Sequence, residues 1–494
     1  MPDPDPTGPA TAARVPPALP PPPTVEGISD FSDKLSPMLV KELRQGLRTY
    51  TFVILFLFLQ GLLALVVLTA SGATANTSGS DTAGTVVSQI VFCVYALAVL
   101  VVQPLRGISA LATEIKQNTI DLLVLTRLSA WRIVWGKWSA IVSQSGLLLV
   151  AILPYLILRY FFGGMQLFSE MFLMLYLFLL SGVLTAFTVG LSGAGSPLIR
   201  GLVVVGGAPA LALAIMFGFT PEFPRIVGYF NVASAANVGI LAGILALAVY
   251  LGYFFLEVGT GAIAPISENR ATLKRLIGLA VVVVTYGTLQ IADDGLALLA
   301  TLVVAALISL DLFTERAEFP AVVCRPFLRF GRPGRLAGRF LYPGWATGSL
   351  FFLLLVAVTC GMLLLRQATT GLRAEHFTYA GIGFAVMVFP AAMMQLCARN
   401  RPERFTMYIS ITIMGWLLAL ILGILYGEVR NELLLWLFSP VPMVLFPLSN
   451  ELTSPTNRVT ISFIAWALAG LYTLIVLVGA GRSLAALAKL ERAE

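Results

Sequence analysis

The stretch "YTFVILFLFLQGLLALVVLTA", Tyr50–Ala70, contains no charged residue. A helix needs about 20 apolar residues to cross a hydrocarbon core of about 30 Å, and this run meets that length. No water satisfies backbone groups in lipid, so such a run is either a helix or a strand of a closed barrel. Its apolar residues are consecutive rather than alternating, which excludes the barrel strand. Comparable runs recur at 86–105, 138–159, 170–192, 201–219 and 237–257, and again at 275–291, 295–313, 345–365, 379–397, 405–426 and 459–481. The pattern predicts an all-α polytopic membrane protein with about 12 transmembrane helices. A further apolar stretch, "RNELLLWLFSPVPMVLFPLS" (430–449), carries Pro440, Pro442 and Pro447. Proline breaks a straight helix, so this stretch reads as re-entrant or interfacial.

Just before the first run stands "SPMLVKELRQGLR", Ser36–Arg48. Ser36 suits an N-cap and Pro37 the first helical position. Leu39, Leu43 and Leu47 repeat every four residues, with Lys41, Glu42, Arg44, Gln45 and Arg48 polar between them. This is an amphipathic helix expected to lie in the cytoplasmic interface, apolar face down.

The composition agrees. Of 494 residues, 58% are hydrophobic and 12% charged, whereas soluble domains carry roughly 25% charged residues. The net charge of +7 follows from where the cations fall. With both termini cytoplasmic, the twelve-span arrangement leaves only Arg159, Arg225, Arg366, Arg373, Arg430 and Arg458 of the 32 Lys and Arg outside. That is a strong positive-inside bias, and it makes nucleic acid an unneeded partner. Cys93, Cys324, Cys360 and Cys397 show no paired spacing, which argues against disulfides and metal sites. The one histidine, His376, reads as a solvated loop residue. Residues 1–30 are Pro-rich without apolar periodicity, the composition of a disordered or polyproline-II-like tail. They lack the apolar core of a signal peptide.

The runs fall into two sets of six, at 31–260 and 261–494. In each set a short link joins the first two spans, a basic segment of about 30 residues follows the second, and a Pro-containing external stretch precedes the sixth. The likeness is one of lengths alone.

No G-x-x-x-x-G-K-[ST] phosphate loop occurs, so the chain does not bind ATP by that route. Ionisable residues are nearly absent from the middles of the spans, where ion-coupled transporters place them. Transport by this chain would draw its energy from a partner. Asp293 and Asp294 form an external acidic pair, which Gly295 marks as a solvated turn rather than a metal site. No catalytic, cofactor-binding or metal-ligating residue is expected, and no cofactor. The basic run "CRPFLRFGRPGRLAGRF" (324–340) is either an ordinary positive-inside loop or a contact for anionic lipid.

Between the second and third spans lies "TEIKQNTIDLLVLTRLSAWRIVWGK", Thr113–Lys137. Ile108, Leu111, Ile115, Thr119 and Leu122 recur every three or four residues, a pattern for an amphipathic helix. After a break, Ser129 can N-cap a second short helix, "AWRIVWGK", leading into the third span. A helix–turn–helix on the cytoplasmic surface either docks a soluble partner or lies passively in the interface.

Glu114, Thr119, Leu122, Leu123, Thr126, Leu128, Ser129, Ile133, Gly136 and Lys137 resemble the "E…GT…LL…T.LS…I..GK" pattern of ABC-2 type transporter permeases. "LVKELRQGLRTYTFVI" is similar to the elbow helix of the same family, here Leu39, Lys41, Glu42, Leu43, Arg44 and Leu47. The likeness covers residues 36–160 and fits the layout to about 257. Asn118 and Arg127 depart from it, where Gly and Pro are common, and the loop at 314–344 lacks the series. The resemblance implies a permease half at 31–260, with an elbow helix (36–48) and a coupling segment (108–137), and a more divergent half at 261–494. It also implies a separate cytosolic ABC ATPase, a bacterial inner membrane location and no enzymatic activity in this chain. Glu114 and Lys116 would contact the ATPase, Leu122, Leu123 and Leu128 would seat the segment, and Gly136 and Lys137 would mark the turn into the third span. A second permease or a second copy would complete the assembly if the divergent half is inactive. The competing readings are a self-contained secondary transporter or channel and, further off, a membrane enzyme or scaffold.

Overall fold

The computed structural model describes residues 37–74, 80–112, 115, 129–160, 166–193, 201, 207–219, 223–231, 233–264, 268–290, 293–315, 321–397, 403–429, 432–451 and 455–493. Among the described residues all regular structure is helical. Eleven helices among the described residues are long and apolar enough to cross a membrane. The chain is an all-α, multi-pass membrane protein.

A short helix, α1 (Pro37–Leu47), precedes the first span, α2 (Tyr50–Thr74). The second span, α3 (Ser80–Ala96), runs on through a π-helical stretch, Leu97–Val102, and a 3-10 turn, Arg106–Ser109. Pro104 explains the change of winding. It has no N–H to offer the carbonyl of Leu100, so the ladder re-registers around it. The third and fourth spans are α4 (Ala130–Tyr160) and α5 (Leu167–Ser192). At the expected fifth span the described helix is α6 (Ala208–Phe219), of 12 residues, and residues 202–206 lie outside the described set. A short α7 (Phe223–Tyr229) leads to the long α8 (Ala235–Ile263).

The second set begins with α9 (Ala271–Leu289) and α10 (Asp294–Thr314). A single turn, Arg325–Leu328, and α11 (Gly331–Leu341) follow. Then come α12 (Trp345–Thr370), α13 (Ala374–Cys397) and α14 (Arg404–Val429). The apolar stretch at 430–449 is broken at Pro440 and Pro442 into α15 (Glu432–Leu437) and α16 (Leu445–Glu451), with Pro447 in the first turn of α16. Met443 and Val444, between them, are buried. The chain ends in α17 (Pro455–Ala493), 39 residues long.

Two large apolar cores organise these helices. One gathers Leu59, Phe92, Tyr95, Leu148, Leu173 and Phe223 from α2, α3, α4, α5 and α7. The other gathers Val304, Phe351, Phe384, Val388, Ala465 and Val476 from α10, α12, α13 and α17. Helix α8 serves both sides, with Tyr250 in the second core and Leu256 packed with Met38, Ile133 and Val189. It meets α5 at a glycine pair. A Cβ on Gly259 would lie 2.9 Å from the Cα of Gly190, so the two backbones touch. Without a hydrophobic drive between helices in lipid, such close packing of small residues holds spans together.

Candidate functional site

Two of the sequence-predicted elements, the elbow helix and the end of the coupling segment, meet on α4. Met38 is buried, and its Cγ lies 2.9 Å from where a Cβ on Gly136 would be. Glu42 Oε1 accepts from Lys137 Nζ at 3.2 Å, with the lysine side chain 8% exposed. Lys41 and Arg44 face outward. Leu39 and Leu43 are half-buried, and Leu47 packs against the first core. The expected separate helix "AWRIVWGK" is instead the opening of α4, which runs unbroken from Ala130. Gly136 and Lys137 therefore mark no turn. A lone glycine costs a helix interior only about 1 kcal/mol, and here it makes the notch that seats α1. Ser129 stands at the boundary, its carbonyl accepting from the N–H groups of Arg132 and Ile133 at 2.9 and 3.3 Å.

Glu114, Lys116, Thr119, Leu122, Leu123, Thr126 and Leu128 lie outside the described residues. The entry to their segment is well held. Leu111 is buried, and its N–H donates to Ser192 Oγ at 3.1 Å. Ile108 packs on Leu191, as do Phe187 and Phe255. Both ends of segment 108–137 are thus fastened to spans, the entry to α5 and the exit through α4 to α1.

Sequence reasoning counted Arg106 only as an inner charge. In the structure it is a hub. Its guanidinium donates to Gln103 Oε1 at 3.1 Å, Thr49 Oγ1 at 3.2 Å and the Gly46 carbonyl at 3.4 Å, and also to Gln144 Oε1. It lies 5.8 Å from the Phe52 ring centroid. A half-buried cation needs such acceptors to offset lost hydration. One side chain thereby joins the end of α3, the middle of α4 and the α1–α2 link. The readable signal was Gln103 and Gln144, two amides inside apolar runs.

A second charged assembly joins α8, α9, α10 and α12. Glu257 accepts both hydrogen bonds from Arg270 Nη1 at 3.1 Å, and Arg270 reaches Glu268 at 2.7 Å. Burial works against the Arg270 charge, but Glu268 and Glu257 outweigh it and raise its pKa above the ordinary arginine value. Arg270 also lies 6.0 Å from the Trp131 ring at the start of α4. Lys274 pairs with Asp311 at 2.8 Å. Arg275, 1% exposed, donates to Glu315 at 2.7 Å, the Phe340 carbonyl at 2.7 Å, the Gly344 carbonyl at 3.1 Å and Thr347 Oγ1 at 3.3 Å. Apart from Glu268 in the link, the carboxylates come from near the ends of α8 and α10, and the cations from the opening of α9 or just before it, so charges that look isolated in sequence close on one another.

At the opposite end the acidic pair divides its roles. Asp293 caps α10 by accepting from the Leu296 N–H at 2.8 Å, and Asp294 binds Arg366 at 2.9 Å. His376, in the first turn of α13 rather than in a loop, lines with Asp293 a cavity of about 730 Å³ whose wall also includes Leu302, Met387 and Trp416. Among the described residues no three metal-ligating side chains cluster.

Comparison with protein-family models, with curated proteins and with solved structures returns no match. Fold and site together define a multi-pass helical membrane protein whose span ends are clasped by ion pairs at the arginine-rich end of the bundle.

Proposed function

We propose that the chain is the permease subunit of an ABC-2 type exporter in a bacterial inner membrane, driven by a separate cytosolic ATPase. The observation that carries this reading is the Glu42–Lys137 ion pair with Met38 seated on Gly136. It ties the elbow helix to the span that emerges from the coupling segment. A partner pressing on residues 113–128 would push on α4 at Ser129 and on α5 through Leu111 and Ser192. Helix α1 would move with α4 as one body, and Arg106 would carry α3 along. The chain has no phosphate loop of its own, so the ATPase sits on another polypeptide. The ABC-2-like residue pattern at 114–137 supports the same assignment. Co-expression with a neighbouring ATPase gene and purification in mild detergent tests it. The expected result is a retained ATPase subunit whose retention is lost in Glu114→Ala/Leu122→Ala, while the variant still inserts in the membrane. A chain that transports without any retained ATPase, unaffected by these substitutions, overturns the reading.

A further inference from the structure

The connection between α10 and α12 carries Arg325, Arg329, Arg332, Arg335 and Arg339, and no Asp or Glu occurs between Glu318 and Glu375. All five arginines are exposed. They recur every three or four residues, so Arg332, Arg335 and Arg339 share one face of α11. The opposite face is glycine. Gly334 and Gly338 are buried, and neither has room for a Cβ, the first against the Phe327 carbonyl and the second against the Tyr342 ring.

The segment is therefore a built platform. Gly331, at φ 64°, makes the sharp turn into α11, a conformation that glycine adopts without strain. Phe327 and Tyr342 stack edge to face at 5.1 Å. Tyr342 and Cys324 are fully buried against Leu487 of α17. Arg339 lies 3.6 Å from Glu491 on the same helix. Helix α17, at 39 residues, is about 58 Å long, well beyond a core of about 30 Å. Its protruding end props up the basic segment.

Among the arginines stand Phe330, 75% exposed, and Leu336, 63% exposed. Large apolar side chains beside several cations are poorly served by water alone. At a membrane boundary both find partners, the rings and aliphatic groups in the acyl region and the cations at phosphates. Only residues 342–344 separate the platform from the span α12, and Arg275 of the span α9 donates to its Phe340 carbonyl at 2.7 Å, which places it at that boundary.

We propose that residues 321–341 bind anionic phospholipid headgroups of the adjoining leaflet. Arg329, Arg332 and Arg335 meet the phosphates, and Phe330 and Leu336 enter the acyl boundary. This assignment is independent of any ATPase partner.

The test uses the purified full chain in zwitterionic mixed micelles, titrated with dansyl-labelled phosphatidylglycerol or phosphatidylcholine and read by energy transfer from tryptophan. Wild type should prefer phosphatidylglycerol, and the preference should fall with added salt. At roughly fivefold per arginine, Arg329→Gln/Arg332→Gln/Arg335→Gln should weaken phosphatidylglycerol binding on the order of a hundredfold in the additive limit. The triple lysine variant should retain it. An undiminished preference in the glutamine variant overturns the proposal. Displacement of the labelled lipid by inorganic phosphate also overturns it, since the site would then recognise free anion. So does loss of a co-purifying soluble protein with lipid binding intact, since the face would then be a protein dock. Should the glutamine variant fail to fold, a wild-type preference indifferent to salt refutes the idea by itself.

Discussion

The Arg275–Glu315 pair gives an asymmetric prediction. Arg275 is 1% exposed and Glu315 15% exposed, with 2.7 Å between Nη2 and Oε2. Replacing Glu315 by Leu strands a buried guanidinium on the Phe340 and Gly344 carbonyls and Thr347 Oγ1. Removing one partner of a buried pair costs about 3–5 kcal/mol. The surviving acceptors place this case near the lower end, about 3 kcal/mol, which is more than a hundredfold in the folding equilibrium. Arg275→Met should be milder. Glu315 then keeps the Gly344 N–H at 3.0 Å and Lys274 at 4.0 Å, and its partial exposure lets water help, for a loss of about 1–2 kcal/mol.

The double variant Arg275→Met/Glu315→Leu carries no stranded charge in this pair. It should lie within about 2 kcal/mol of wild type, well short of the sum of the singles, because well-packed apolar residues commonly replace a buried ion pair at little cost and only neutral backbone groups lose partners. The Gly348 N–H still donates to the Gly344 carbonyl at 2.9 Å, so the Phe340 carbonyl and the Gly344 N–H are the groups left short. The assay is reversible denaturant unfolding in lipid–detergent micelles, followed by tryptophan fluorescence, with the four proteins forming a double-mutant cycle. If Glu315→Leu is no worse than Arg275→Met, or the double variant is as unstable as the sum of the singles, the pair is not a buried electrostatic unit and the reasoning fails.

The elbow contact should behave as an ion pair of defined polarity. Glu42→Lys should cost about 1.5–3 kcal/mol of local stability, and Lys137→Glu in the same chain should restore most of it, as measured by amide exchange in α1. Gly136→Ile should displace Met38 at about 1–3 kcal/mol, with recovery in the Met38→Ala background by the same exchange measurement. Gly259→Val should be harsher and without such rescue, because the obstacle is the Gly190 backbone at 2.9 Å rather than a flexible side chain; thermal unfolding should shift down accordingly.

The fold was largely legible because lipid imposes a rule that composition displays directly. A run without charge and of sufficient length must be a helix, and eleven of the twelve expected runs coincide with described helices of that length. The break within 430–449 was equally legible, since Pro440 and Pro442 fall in it. The opening of α4 was misplaced because Trp131, Arg132 and Lys137 lower the apolar signal before 138. Yet Trp131 and Lys137 are satisfied there, the one packed beside Met38 and Ile133 and under Arg270, the other paired with Glu42.

The polar junctions were not legible, for a physical reason. Periodicity reports which face of one helix is apolar. It does not report which two helix ends are neighbours. Glu257, Arg270, Lys274, Arg275, Asp311 and Glu315 each look like a charge at or near the end of a span, where it could reach water. Only the approach of α8, α9, α10 and α12 turns them into one another's partners. The same holds for Arg106, whose acceptors come from positions 46, 49, 103 and 144. These clasps carry a consequence for any movement of the bundle. Spans tied by buried ion pairs at their ends resist separating there, because opening exposes each charge to a partnerless interior before water arrives. Motion passed in through residues 108–137 would therefore turn the clasped helices together about their ends, rather than pull the clasps apart.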